Sequence, residues 1–131
     1  MIGLDTNVLV RYLAQDDPKQ SPRATSLINA LTNDDPGFIP LVVLIELVWV
    51  MQGCYGATKP EVVVILETLL RTEGLIVENA EIALKALHVF IASKADFPDC
   101  IIERSANKAG CESVFTFDKN AAKTAGMRLV D

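Results

Sequence analysis

Leu41-Val42-Val43-Leu44-Ile45-Glu46-Leu47-Val48-Trp49-Val50-Met51 decides the fold class. One carboxylate interrupts an otherwise unbroken apolar run. The run is long enough for a helix ending near Gly53, and it is about half the length a bilayer crossing requires. A helix that is apolar on every face is a buried helix, so other elements are expected to cover this one on several sides. The mean hydropathy of +0.30 is high for a globular chain. Half the residues are hydrophobic and 22% are charged. That balance suits a parallel sheet covered by helices.

Working outward, strand and helix signals alternate. Met1 to Asp5 reads as a short buried strand, followed by a helix through Tyr12 and Leu13 that breaks at Asp16-Asp17-Pro18. Ser21-Pro22 is expected to be an N-cap with proline in the first turn, opening a helix to about Leu31. Asn33 to Gly37 is a turn cluster, and Phe38 to Pro40 a short strand. Beyond the apolar helix, Thr58-Lys59-Pro60-Glu61 is a capping box, opening a helix to about Arg71. Leu75 to Val77 is a strand, and Asn79 is placed to cap a helix from Ala80 to about Lys94. Pro98 suits the first turn of a further helix, which Gly110 would end. Val114 to Phe117 is a strand, Lys119 to Ala125 a short helix and Met127 to Val130 a last strand. Strands separated by helices predict parallel pairing through crossovers, hence an α/β sandwich.

With 131 residues, one domain over 1–131 is expected. Met1 to Asp5 has no basic leader segment and meets an acid at once, so no signal peptide is expected and the cytoplasm is the default compartment. Three cysteines, Cys54, Cys100 and Cys111, show no paired spacing, and buried inert thiols are the expectation. His88 is expected to be an ordinary helix residue. A net charge of −5 runs against the basic footprint of a nucleic-acid enzyme. Setting aside four carboxylates as metal ligands removes most of that excess.

Ligands of an open parallel sheet bind beyond the carboxyl ends of its strands, where Asp5 and Asp118 both fall. Each also suits a helix N-cap. Glu46 stands alone in its apolar helix, and a buried carboxylate must protonate, pair with a cation or bind metal. No basic residue lies in its own segment, although Arg11 is an available partner. In Ala95-Asp96-Phe97-Pro98-Asp99-Cys100-Ile101-Ile102, Asp99 falls in a first turn, where the helix dipole favours negative charge. Asp96 is best placed as the cap of that helix. If Asp5, Glu46, Asp99 and Asp118 converge, each pair repels by about 4 kcal/mol at 4 Å and intermediate dielectric, so a cation is required. Oxygen ligands without His or Cys select Mg²⁺ or Mn²⁺ over zinc.

Laid out in this order, the sequence resembles the PIN-domain family, and within it the VapC-type toxins of bacterial and archaeal toxin–antitoxin pairs. Ile2-Gly3-Leu4-Asp5-Thr6-Asn7-Val8-Leu9 resembles the family's opening strand and first acid. Val43-Leu44-Ile45-Glu46-Leu47 resembles the helix bearing the second acid. Ala95 to Ile102 is similar to the segment with the third, and Val114-Phe115-Thr116-Phe117-Asp118 to the strand ending in the fourth. Each motif is weak by itself; four in order over the whole chain are specific.

The resemblance implies a PIN-like three-layer α/β/α sandwich with a central, mainly parallel sheet. It also implies an endoribonuclease using Mg²⁺ or Mn²⁺. Asp5 and Asp99 would be the principal metal ligands, with Glu46 and Asp118 completing the site. Thr6, Asn7 and Thr116 would bind substrate or hold ligands, and Asp96 would support them from behind. Apart from the resemblance, Lys119, directly beside Asp118, is the best-placed cation for a phosphate, although lysines and arginines usually just solvate a surface. Lys19, Arg23, Arg104, Lys108 and Lys123 are further candidates for phosphate contact. The implied partners are RNA, a VapB-like antitoxin and a second copy in a homodimer, with no membrane. Only the apolar excess, Trp49, Phe90 and their neighbours, points to an interface, and core packing explains those residues equally well. Pro98 departs from the alanine frequent in relatives, but proline is acceptable at a helix start. The alternative is a catalytically silent PIN-fold module that binds RNA or antitoxin. A haloacid-dehalogenase phosphatase would need a second Asp where Asn7 stands. A phospho-acceptor receiver would need an acidic neighbour beside Asp5.

Overall fold

The computed structural model describes residues 1–131. All strand pairings are parallel, as the alternation predicts, and the strands divide into two hydrogen-bonded sets. The chain forms two compact units, Met1–Glu78 and Asn79–Asp131.

The first unit holds a three-stranded sheet in sequential order: β1 (Ile2–Gly3), β2 (Gly37–Ile39) and β3 (Leu75–Val77). Ile2 pairs with Gly37, and Gly37 with Leu75. Helices α1 (Thr6–Ala14) and α2 (Gln20–Asn29) connect β1 to β2, while α3 (Leu41–Cys54) and α4 (Lys59–Arg71) connect β2 to β3. Leu9, Ile39, Leu44, Leu47 and Leu66 are wholly buried. The capping box at α4 forms as the sequence predicts: Thr58 Oγ1 accepts from the Glu61 amide and Glu61 Oε1 from the Thr58 amide. Gly74 turns the chain into β3 at φ 85°, and a Cβ there would stand 3.0 Å from the Leu31 carbonyl. Only glycine meets both demands without strain.

Two expectations fail in this unit. Ser21 is not the N-cap of α2, which begins one residue earlier. Asp17 Oδ1 accepts from the Lys19 and Gln20 amides at 2.9 and 2.7 Å, so the first-turn donors are satisfied from upstream. Ser21 is instead buried, its hydroxyl accepting from the Asp17 amide. Nor is α3 covered on every side. Val42, Glu46 and Trp49 share one face at helical spacing and are exposed, Trp49 by 75%. Since Pro40 has no side-chain acceptor, α3 takes its cap from a distance: Glu78 Oε1 accepts from the Leu41 amide at 2.8 Å.

The second unit comprises α5 (Ala80–Ala92), α6 (Phe97–Lys108), β4 (Phe115–Thr116), α7 (Lys119–Thr124) and β5 (Arg128–Leu129). Helices α5 and α6 pack together, with Phe90 and Phe97 edge to face at 5.9 Å between centroids. Phe90 is therefore a core residue and not part of an exposed interface. Asn79 stands at the cap position of α5, but its backbone is left-handed and its side chain makes no cap bond. Gly110 ends α6 at φ 96°. Of the three cysteines only Cys100 is buried; Cys54, the last residue of α3, and Cys111, in the loop after α6, are exposed. His88 lies on α5 as expected. No helix is long and apolar enough to cross a membrane.

Candidate active site

In the first unit, Asp5 directly follows the sheet end, just past Leu4, whose amide donates to the Phe38 carbonyl. It is the N-cap of α1, Oδ1 accepting from the Thr6 amide at 2.7 Å. This bond occupies one oxygen and leaves the other free. Thr6 also reaches the second acid: its hydroxyl donates to Glu46 Oε1 at 3.2 Å. One threonine thus ties together the carboxylates at the end of β1 and in the middle of α3.

Asp5, Thr6, Asn7 and Glu46 line an open cleft of about 490 Å³, together with Arg11, Val50, Cys54 and Tyr55. Glu46 is exposed rather than enclosed by its helix. The suggested pairing with Arg11 does not form. The Arg11 guanidinium donates instead to Gln20 Oε1 at 2.8 Å and Asp16 Oδ1 at 3.3 Å. Asp16 also accepts from the Tyr55 hydroxyl at 2.9 Å, a bond that raises the phenol above its ordinary pKa. Arg11 and Tyr55 are cleft residues that motif spacing missed. Helical periodicity carried the signal: Arg11 follows Asn7 by four residues, and Val50 and Cys54 follow Glu46 by four and eight.

In the second unit, Asp118 follows β4 and caps α7, Oδ1 accepting from the Asn120 and Ala121 amides at 2.8 and 3.3 Å. Thr116 Oγ1 accepts from the Asp118 amide at 3.0 Å, fixing the turn that presents this acid. Asp99 stands in the first turn of α6. Partial burial pushes its carboxyl above the ordinary range, and the charges of Asp96 and Asp118 push it further. Asp99 therefore senses both of the other carboxylates. Asp96 occupies the cap position of α6 but makes no side-chain cap bond, which corrects the capping role expected for it. Its charge instead bears on Asp99.

The candidate cations also sort themselves. Arg104 is engaged by Glu103 through two bonds of 2.7 and 2.8 Å. Lys108 lies 3.7 Å from Glu81. Lys119 and Lys123 are exposed and carry no ion pair, and Arg23 lines a second cleft of about 440 Å³ beside α1. Within neither unit are three or more His, Cys, Asp or Glu side chains gathered closely enough to hold a metal ion. Asp5 and Glu46 lie in the first unit, and Asp96, Asp99 and Asp118 in the second.

A family model described as the PIN domain matches residues 2–127. A VapC ribonuclease of Aquifex aeolicus (strain VF5) is 26% identical over 120 residues, covering 92% of this chain and 89% of the relative.

Proposed function

The chain belongs to the PIN-domain family, and from that premise we propose that it is an endoribonuclease dependent on Mg²⁺ or Mn²⁺, the toxin of a toxin–antitoxin pair. The observation that carries the proposal is the state of Asp99. Its carboxyl is held above the ordinary range by burial and by two neighbouring carboxylates. A site that concentrates negative charge in this way, with no cationic side chain on Asp99, is one that a divalent cation relieves.

The donor chemistry fits such an ion. All the candidate ligands are carboxylate oxygens, the set preferred by hard cations. Asp5, Glu46, Asp99 and Asp118 are the proposed ligands, with the chain acting as a single domain over 1–131. A bound divalent cation supplies charge stabilisation at the scissile phosphate and lowers the pKa of an attacking water. The chain's own residues prepare the rest. Thr6 fixes the Glu46 carboxylate by its hydroxyl bond. Thr116 and the first amides of α7 hold Asp118 in one orientation. Asn7 and Lys119, both exposed beside acids, are suited to the phosphate oxygens and ribose of RNA. Asp96 raises the local negative potential that makes cation binding favourable.

A VapB-like antitoxin that covers the site and a homodimer belong to the same proposal. The exposed Val42 and Trp49 on α3 support a protein-facing surface, since large exposed apolar patches mark interaction sites. The proposed compartment is the cytoplasm. One observation favours the silent binding module instead: no ready-made group of three ligands is gathered in either unit. The two are separated by incubating the purified chain with total cellular RNA in Mn²⁺, Mg²⁺ or EDTA and mapping the ends. Metal-dependent cleavage that is lost in Asp5→Asn and Asp99→Asn supports the nuclease. No cutting under any metal condition supports the module.

A further inference from the structure

Phe117, 83% exposed, is the most exposed of the large apolar side chains, and it stands immediately before Asp118. Phe115, two residues earlier, is 62% exposed. Phe117 lies in the bend that follows β4, two residues along the chain from Phe115. Arg128, paired with Phe115 across the parallel ladder, places its guanidinium over the Phe115 ring at 5.6 Å from the centroid. No ion pair ties up Arg128, Lys119 or Lys123, and all three are exposed. Two exposed aromatic rings and three exposed cations without ion pairs thus fall within residues 115–128 of a chain whose net charge is −5.

From this juxtaposition we propose that Phe117, with the Phe115–Arg128 pair beside it, is a stacking subsite for an unpaired nucleobase of the substrate RNA. The inference rests on the ribonuclease proposal and goes beyond it by assigning how a nucleotide is gripped next to Asp118. An apolar protein partner would bury two phenyl rings equally well, but it would strand the three cations. A single-stranded nucleotide satisfies both halves. Its base has a flat face for the ring, as in sequence-tolerant single-strand binding, and its phosphates answer the lysines and the arginine. Arg128 adds a second planar surface for the next base.

The test uses the full chain in EDTA, so that binding is read without cleavage. The probes are a fluorescein-labelled single-stranded oligoadenylate and, as a base-free competitor, inorganic polyphosphate. Phe117→Ala should weaken oligoadenylate binding about tenfold and leave polyphosphate competition unchanged, whereas Arg128→Gln should weaken both. In a Trp49→Phe background, the fluorescence of Phe117→Trp should be quenched by oligoadenylate and not by polyphosphate. Because Phe117 is exposed, melting curves of all variants should overlay. Unaltered oligoadenylate affinity in Phe117→Ala overturns the subsite, even where the wild type cleaves RNA in Mn²⁺. Conversion of a dimer to a monomer by that substitution also overturns it, since the face would then belong to a second copy. Phe117-dependent binding without any metal-dependent cleavage supports the subsite and sinks only the nuclease.

Discussion

The hydroxyl of Thr6 donates to Glu46 Oε1 at 3.2 Å, joining the first residue of α1 to the middle of α3 across a sequence separation of 40 residues. The same residue's amide donates to Asp5. Thr6 therefore sets the orientation of two acids without being a ligand itself. Thr6→Val, which keeps the shape and removes the donor, is expected to lower metal-dependent RNA cleavage about tenfold or more. Thr6→Ser should retain most of it. A cleavage assay alongside thermal melts checks this, and equal activity in Thr6→Val and wild type would remove Thr6 from the site.

Asp99 is destabilised as an anion, by burial first and by Asp96 and Asp118 next. Its folded pKa lies above the unfolded value, so the unfavourable contribution is absent below the unfolded pKa and grows as pH rises to the folded one. Asp99→Asn removes that repulsion. The metal-free variant is expected to melt higher than wild type at neutral pH, while its cleavage of RNA disappears. Calorimetry in EDTA reads the first effect, and a lower melting point would show that the carboxylate is stabilising as it stands.

Metal binding should also be visible without any substrate. An ion that binds only the folded chain stabilises it by about 2.7 kcal/mol at a concentration one hundred times its Kd. Mn²⁺ is expected to raise the melting temperature of the wild type, and EDTA to reverse the shift. Asp99→Asn and Glu46→Gln should lose it. An increase of the same size in those variants would place the ion elsewhere.

Helix α3 begins at Leu41, has only Pro40 at its cap position, and depends on the Glu78 carboxylate at the Leu41 amide. A carboxylate at a helix N-terminus contributes on the order of 0.3–1 kcal/mol, from hydrogen bond and dipole together. Glu78→Ala should cost about that much and Glu78→Gln less, because the amide oxygen still accepts. Denaturant titrations test the order; equal stability of all three would mean water caps the helix equally well.

Two carboxylates held by hydrogen bonds make the chain acid-sensitive. Asp17 is held below its ordinary pKa by the amides of Gln20 and Lys19, and Glu61 by the amide and hydroxyl of Thr58. Both contribute stability that is present above the unfolded carboxylate pKa and is lost as pH falls through the lower folded value. Asp17→Asn and Glu61→Gln are therefore expected to melt closer to wild type at acid pH than at neutral pH. A gap between variant and wild type that stays constant from neutral to acid pH would deny the linkage.

Much of the fold was legible because its signals are local. Thr58-Lys59-Pro60-Glu61 makes the same capping box wherever α4 packs, and alternating apolar strands and amphipathic helices allow parallel pairing and little else. Asp5 and Asp118 were placed correctly at strand ends because a strand-to-helix junction is written in neighbouring residues. Other features were not local. Glu46 was expected inside an enclosed helix, yet composition cannot say which face a helix leaves open, and packing exposes the face with Val42 and Trp49. Ser21 and Asp96 have cap chemistry and fail to cap, the first because Asp17 already serves the α2 donors and the second because its side chain forms no such bond.

The sequence by itself determined the order of strands and helices, the positions of the acids along them and the membership of the PIN-domain family. Only the tertiary structure decided which groups meet: Thr6 with Glu46, Glu78 with the start of α3, Arg11 with Asp16 and Gln20 rather than with an acid of the cleft. The reason is physical. Local propensity and periodicity act over a few residues, whereas a hydrogen bond between residues 40 positions apart exists only after the buried faces of the helices have fixed where each side chain points.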